Sequence, residues 1–371
     1  MFLFSVTFVM SMIAIVVSIT VPIYAETIKT PTFMIGLIGS AGGLAYSLMA
    51  FVAGTFYDRK KRIVFASLLL YSFTCALYNF SEEATMLVLI KLLEGLSAAL
   101  LWSAVEALLA DLGGRDLEDT LRRFNLSWSS AVIIGPVIGG SLITAWSIKA
   151  PFIFALFISA LFAVLSLFIL KELNFHNQHI KTNTEQKDLN QKYSIIPGLA
   201  SILLLSSVDG IIMTFFPAYA TRLEISAFNV GLIVFAHGAG RIAVFSQTNV
   251  IEAKIGKIGM LWSSSFLLGI ASLLTALSSS FPLYICCFVL YGFGTGLAYA
   301  ASLSIVLRRW ETTRGRAAGI FESLLGFGYF LGPLIAGAVS IFSDSAPYYF
   351  IFVLSSATLI IQLLLNKKIS D

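Results

Sequence analysis

The sequence predicts an all-α membrane protein with twelve transmembrane helices arranged as two pseudo-symmetric six-helix bundles. Of its 371 residues, 58% are hydrophobic and only 12% are charged, whereas an ordinary soluble domain has about 25% charged residues. The apolar residues form runs that match the roughly 20 residues a helix needs to cross a bilayer. This composition excludes a water-soluble protein. The longest hydrophilic stretch, residues 171–193, is too short for a separate enzyme domain.

The predicted spans follow the apolar runs in chain order. Seven charge-free runs give one span each: 1–25, 30–57, 63–81, 124–148, 150–170, 323–343 and 345–366. The charge-free run 258–307 gives two spans, because small polar residues and a proline at 278–282 interrupt the helix. Three further spans, 85–110, 195–219 and 227–248, contain isolated charges. The first run is a span rather than a signal peptide, because it is long and lacks a basic leader.

The basic residues of the loops predict the orientation of the chain. If both termini lie inside, the inner loops and tail hold nineteen Lys and Arg residues, and the outer loops hold only Lys29, Lys149 and Arg222. Because such residues accumulate on the cytoplasmic side, we expect a multi-pass protein of the cell membrane with both termini cytoplasmic. The predicted units are an N-terminal bundle (1–171), a cytoplasmic linker (172–193) and a C-terminal bundle (194–371).

Two sequence matches indicate an internal repeat. Residues 33–38 of the second span resemble residues 228–233 of the eighth, 195 residues later. Gly135 and Pro136 of the fifth span recur as Gly332 and Pro333 of the eleventh, 197 residues later. Nearly equal offsets predict two copies of a six-span unit, which is a transporter architecture.

The loop after the second span contains Gly54, Asp58, Arg59 and Arg62. This spacing resembles the signature loop of the major facilitator superfamily, in which Asp-Arg follows a glycine by four residues and further basic residues come next. The resemblance implies the major facilitator fold and a cytoplasmic latch that these four residues help to form between the bundles. Lys61 stands where the family usually has a second glycine, and a merely basic loop is the alternative.

The fourth span contains Lys91, Glu94 and Gly95, which resemble a family motif that has an arginine followed by a Gln-Gly pair. Residues three apart share one helix face, so Lys91 and Glu94 can neutralise each other. A role in substrate or proton handling is the other interpretation, and both stay open.

The fifth span resembles the glycine-proline motif associated with exporters of the family, and the eleventh span repeats it. We expect a helix-packing hinge at Gly135, Pro136, Gly139, Gly140, Gly332 and Pro333. Glycine lets helices approach closely, and proline bends a helix and frees a carbonyl. Ordinary tight packing is the alternative.

Charged residues inside a membrane are costly and therefore mark candidate functional sites. The spans contain six: Lys91, Glu94, Glu106, Asp209, Arg241 and Glu322. Distances from the loops place Lys91 and Asp209 toward the outer face, Glu94 nearer the middle, and the other three toward the cytoplasm. Two charged layers are consistent with an inner and an outer gate whose ion pairs form and break in turn. The alternative is that the charges form permanent contacts between helices. We favour Asp209, Glu106 and Glu322 as proton-binding residues, and we expect His237 to be a packing residue.

These features predict a monomeric secondary active transporter of a small solute that works by alternating access. By the fifth-span resemblance, its mode is proton-coupled export of an amphipathic compound. Uptake of a sugar or organic acid by symport is the alternative, and a non-transporting membrane sensor is a remote one. We do not expect the protein to be an enzyme or to have a cofactor. We expect no metal site, because the three cysteines lie in apolar runs without ligand spacing. We expect no nucleic-acid partner, because the basic residues are scattered over short loops.

Overall fold

The computed structural model describes residues 2–53, 60–113, 117–172, 195–309 and 314–370. All regular structure in these ranges is helical. The helices are α1 (Phe2–Thr27), α2 (Thr32–Ala53), α3 (Lys60–Tyr78), α4 (Ala84–Gly113), α5 (Leu117–Ala145), α6 (Ala150–Glu172), α7 (Ile196–Arg222), α8 (Ala227–Leu277), α9 (Phe281–Arg309), α10 (Arg314–Val339) and α11 (Ala346–Ser370). Each is long and apolar enough to cross a membrane.

Helix α8 supplies two spans because the chain reverses within it. Its 51 residues would extend about 77 Å if straight, more than twice the hydrocarbon thickness. Gly256 interrupts the helix with φ +68°, a backbone conformation that glycine adopts readily. Val244 before this kink and Met260 after it share one buried cluster with Leu297 of α9. The described helices therefore provide the twelve predicted spans.

The two ends of the bundle are distinguished by their connections. We call the end where α1 begins and α11 finishes the terminal face, and the end with the α1–α2, α5–α6 and α7–α8 connections the opposite face. Contacts at the opposite face tie helix ends together. The Tyr24 hydroxyl donates to the Ser81 carbonyl at 2.5 Å, and Lys149 Nζ donates to the Asn79 carbonyl at 2.9 Å. The assignment of the terminal face to the cytoplasm stays a prediction.

We call α1–α6 the first half of the chain and α7–α11 the second half. The two halves meet mainly through α2 on α10 and α5 on α8, and these contacts are related by the internal repeat. Gly36 of α2 faces the Pro333 carbonyl of α10 so closely that a Cβ would overlap with it. Gly231 of α8 faces the Pro136 carbonyl of α5 in the same way. Because the contacting residues differ by offsets of 195 and 197, the repeat produces a pseudo-symmetric interface.

The remaining glycines of the predicted hinge motif also lie at helix contacts. Gly135 and Gly139 of α5 lie against α1, and Gly332 of α10 lies against α7. Gly140 lies against the backbone at Ala227 of α8, in the other half of the molecule. Tight packing is therefore present at each of these positions, and a hinge role stays a prediction.

Candidate functional site

A central cavity of about 430 Å³ lies between the two halves. It is lined by α1, α2, α4 and α5 of the first half and by α7, α8, α9 and α10 of the second. All six charged residues that the sequence places inside the membrane line this cavity: Lys91, Glu94, Glu106, Asp209, Arg241 and Glu322. The structure thus brings residues from four helices and two halves into one site.

The second half contributes an ion-paired cluster. Arg241 Nη2 of α8 lies 2.5 Å from Asp209 Oδ2 of α7 and donates to Thr295 Oγ1 of α9 at 2.8 Å. His237 Nε2 lies 3.2 Å from Asp209 Oδ1. Asp209 and His237 are almost fully buried, so Arg241 is the main charge partner of Asp209, while Asp209 Oδ1 forms no hydrogen bond among the described residues. The cluster neutralises Arg241 and links three helices.

His237 is buried and lies 3.3 Å from both Arg241 Nη2 and Thr295 Oγ1, which agrees with a packing residue that is held within this polar cluster. Its four-residue spacing from Arg241 places both side chains on one helix face, which is the signal that sequence reasoning passed over. The Nδ1 atom of His237 has no hydrogen-bond partner within the described ranges.

The prediction that Asp209 and Arg241 lie in different layers is wrong, because the two side chains form an ion pair. Asp209 is thirteen residues from each end of α7, and Arg241 is fourteen residues after Ala227 and fifteen before the kink at Gly256. Both lie near the middle of their spans and pair directly. The error arose because α8 continues as a helix well beyond residue 248, through polar residues that the apolar pattern excluded.

The first half contributes a second neutralised pair. Lys91 Nζ lies 2.9 Å from Glu94 Oε1, and the Tyr78 hydroxyl of α3 donates to Glu94 Oε2 at 2.6 Å. The predicted i,i+3 pair therefore forms. Because both residues also line the cavity, a role in transport stays open beside the structural one.

The two remaining carboxylates are arranged differently. Glu322 Oε2 of α10 accepts a hydrogen bond from the Tyr46 hydroxyl of α2 at 2.8 Å, which links the two halves. Glu106 of α4 is exposed to the cavity and lies close enough to Glu322 for the two charges to repel. Among the described residues, neither Glu106 nor Glu322 forms an ion pair with a Lys or Arg.

Aromatic rings line the same cavity as these two carboxylates. Trp102 packs edge-on against Phe124 with ring centres 6.3 Å apart, and Trp128 packs against Tyr299 at 6.1 Å. Trp128 belongs to the first half and Tyr299 to the second, so this contact also crosses the interface. All four rings line the cavity. The site thus combines aromatic surface with two carboxyl groups that have no basic partner among the described residues.

An ion-paired group joins the two halves at the opposite face. Arg222 Nη2 at the end of α7 lies 2.8 Å from Glu26 Oε2 at the end of α1 and 3.2 Å from Thr32 Oγ1 of α2. Arg222 Nη1 pairs with Asp344, within its own half. Sequence reasoning treated Arg222 only as a loop charge. The signal for its role was the placement of Glu26 and Asp344 beside other connections on the same face.

The predicted latch is only partly visible. Gly54, Asp58 and Arg59 lie outside the described residues, and Arg62 near the start of α3 is exposed. The latch therefore stays a prediction. Within the described ranges, no cluster of three His, Cys, Asp or Glu side chains has the geometry to hold a metal ion.

Comparisons with known proteins agree with this architecture. Multidrug resistance protein 2 of Bacillus subtilis is 24% identical over 348 residues, covering 87% of this chain and 85% of that protein. Quinolone resistance protein NorA of Staphylococcus aureus is 23% identical over 358 residues, covering 92% and 90%. The crystal structure of nucleoside transporter NupG has the same fold, with a TM-score of 0.75 and 15% identity over 99% of this chain and 98% of that one.

The model of the Major Facilitator Superfamily matches residues 3–308 and 198–368, which together span nearly the whole chain. The match includes both halves and therefore all eight helices that line the cavity. This protein is a multi-pass membrane transporter that belongs to the major facilitator superfamily.

Proposed function

We propose that this transporter exports an amphipathic organic cation from the cell in exchange for protons. The observation that carries the proposal is the unequal charge of the cavity. Lys91 and Arg241 each pair with an acid. Glu106 and Glu322 are left without a basic partner among the described residues. If ionised, these two carboxylates give the site a surplus of negative charge.

A surplus charge inside a membrane has to be compensated. An unpaired carboxylate removed from water is costly, and either a bound proton or the positive group of a ligand removes that cost. A cation and a proton therefore compete for the same carboxylates. Competition of this kind exchanges one for the other whenever the cavity opens alternately to the two faces.

The aromatic rings favour a ligand with an apolar body. Trp102, Phe124 and Trp128 line the same cavity as the carboxylates, and a cation near an aromatic face is attracted by the ring quadrupole. A cavity of about 430 Å³ lies in the range that takes a drug-sized molecule. The names of two relatives, which refer to multidrug and quinolone resistance, agree with a substrate of this class.

Symport of an organic acid is less consistent with the site. A carboxylate substrate would add negative charge to a cavity in which Glu106 and Glu322 already lack basic partners among the described residues. A cation removes that imbalance, which is why we prefer export of a cation over the alternative.

We also propose a monomer in the cell membrane, with the terminal face toward the cytoplasm. A cysteine introduced at Lys29 or Lys149, on the opposite face, should react with an impermeant thiol reagent added to intact cells. A cysteine at Lys187 should react only after lysis. Labelling with the reverse pattern would overturn this orientation.

The proposed function is tested by binding of ethidium, a planar aromatic monocation, to the purified transporter. We expect tight binding near neutral pH and weaker binding in acid, because protons displace the cation from the carboxylates. Glu106→Gln and Glu322→Gln should each weaken binding near neutral pH. Glu224→Gln, an acid at the opposite face, is the matched control and should bind as the wild type does. Binding that is independent of pH and of both carboxylates would refute the proposal.

A further inference from the structure

We propose that Tyr46 is a positioning residue that transmits the protonation of Glu322 to the contact between the two halves. The inference rests on the proposed proton exchange and adds a way for the bound proton to select which face of the transporter opens. It concerns a residue of α2 that the sequence motifs do not include.

Tyr46 forms a side-chain bridge to a titratable group across the interface. Its hydroxyl donates to Glu322 Oε2 at 2.8 Å, although the two residues are 276 positions apart. The neighbouring Ser47 Oγ donates to the Ser323 backbone carbonyl at 2.9 Å. Among the described side chains, two hydrogen bonds therefore join α2 and α10 at this level, and of these the Tyr46 bond ends on a group that can change its charge.

Protonation affects these two bonds unequally. A hydrogen bond to an ionised carboxylate is roughly twice as strong as one between neutral partners. A proton on Glu322 therefore weakens the Tyr46 bond, whereas the Ser47 bond to a carbonyl is unchanged. Since both bonds lie on the terminal side of the interface, protonation loosens that side and favours opening of the terminal face.

The surroundings of Glu322 contain no base that would mask this effect in the described part of the chain. Its titratable and charged neighbours are Tyr46 from α2, Glu106 from α4, Tyr299 from α9 and Tyr329 from α10, with the mutually paired Asp209 and Arg241 farther along the cavity. The tyrosine hydroxyls stay neutral in the working pH range. Glu106 carries the same charge as Glu322, so it competes for the same proton and does not replace it.

The test compares two hydroxyl deletions on adjacent residues. Spin labels at Phe168 and Leu364, which are exposed positions near the terminal face on opposite halves, report the separation of the halves. In the wild type we expect this distance to lengthen when the pH falls from neutral to acid. Tyr46→Phe should lose most of the pH-dependent change, and Ser47→Ala should retain it.

A third variant separates titration from hydrogen bonding. Glu322→Gln keeps an oxygen that can accept from Tyr46 but cannot take up a proton in this range. We expect its distance to be independent of pH. A cooperative thermal unfolding transition close to that of the wild type serves as the check that Tyr46→Phe is folded.

The outcomes distinguish this inference from the function on which it rests. A wild-type response that Tyr46→Phe or Glu322→Gln retains in full would overturn the inference alone. A loss in Ser47→Ala equal to that in Tyr46→Phe would indicate a general packing role and would overturn it as well. A wild-type distance that does not respond to pH would refute the proton coupling itself, and with it the inference.

Discussion

Replacing Arg222 with glutamine should shift the transporter toward the conformation that is open at the opposite face. Arg222 is bound to Glu26 and Thr32 of the first half and to Asp344 of its own half. Separation of the halves at this face must break the contacts with Glu26 and Thr32, whereas the pair with Asp344 can persist. The cross-half contacts therefore stabilise the closed opposite face selectively.

The magnitude follows from the exposure of the pair. The side chains of Arg222 and Glu26 are 22% and 21% exposed, so the interaction is better shielded than a surface ion pair, for which 0–1 kcal/mol is usual. With the additional bond to Thr32, we estimate about 1.5 kcal/mol for the cross-half contacts. A free energy of about 1.4 kcal/mol corresponds to a tenfold change in an equilibrium. Arg222→Gln should therefore raise the open-to-closed ratio about tenfold.

The assay is a distance measurement between spin labels at Trp146 and Phe342, which are exposed at the opposite face on different halves. Glu26→Gln should produce a similar increase in the long-distance population, and its effect should not add to that of Arg222→Gln. Asp344→Asn is the matched control, because it removes a pair within one half and should change the ratio little. Unchanged distances in Arg222→Gln, or an equal shift in Asp344→Asn, would refute the reasoning.

Three further predictions follow from packing and backbone geometry. Gly36→Ala should lower the melting temperature and slow transport, because the added Cβ would overlap with the Pro333 carbonyl. Gly42→Ala is the control and should be tolerated, because a Cβ there has ordinary contacts. Equal melting temperatures for the two variants would contradict this prediction. Glu224→Gly should stabilise the protein by up to about 1 kcal/mol in thermal unfolding. The reason is that Glu224 has φ +59°, a strained conformation for a residue with a side chain. A melting temperature below that of the wild type would contradict this prediction. Gln362→Leu should destabilise the protein by about 1–3 kcal/mol, because the buried Gln362 side chain forms hydrogen bonds with both Ser201 and Ser265. Unfolding of this variant at the wild-type temperature would show that these bonds are unimportant.

The number of spans was predictable because each span must be apolar over a fixed length. The bilayer imposes that length on every helix, so the count survives even where a boundary is misplaced. The reversal within α8 illustrates the point. The sequence shows charged residues between 248 and 258, and the structure makes the turn with a single glycine, Gly256, inside an otherwise continuous helix.

The identity of the charged site residues was predictable, but their partners were not. Burial of a charge in the membrane is visible in the sequence because it interrupts an apolar run, and this signal found Asp209 and Arg241. Their pairing depends on depth, and depth depends on helix ends that extend beyond the apolar run. The i,i+3 spacing of Lys91 and Glu94 is local, so that pair could be found without knowledge of the fold.

Contacts between the halves were the least accessible to sequence reasoning. Tyr46 and Glu322 are separated by 276 residues, and nothing in either helix indicates which residue of the other half it faces. The internal repeat helps only where both copies keep the same residue type, as for Gly36 and Gly231. Arg222 has no charged counterpart at the repeat-related position, Thr27, so symmetry gives no hint of its role.

The most direct test of proton exchange is uptake of ethidium into proteoliposomes that have an acidic interior. The account predicts that the wild type accumulates ethidium against its concentration gradient, and that dissipating the pH difference abolishes accumulation. Glu322→Gln should lose this accumulation while it still exchanges ethidium at equal pH, because Glu106 remains to bind the cation. Accumulation by Glu322→Gln at the wild-type level, or accumulation by the wild type without a pH difference, would contradict the account.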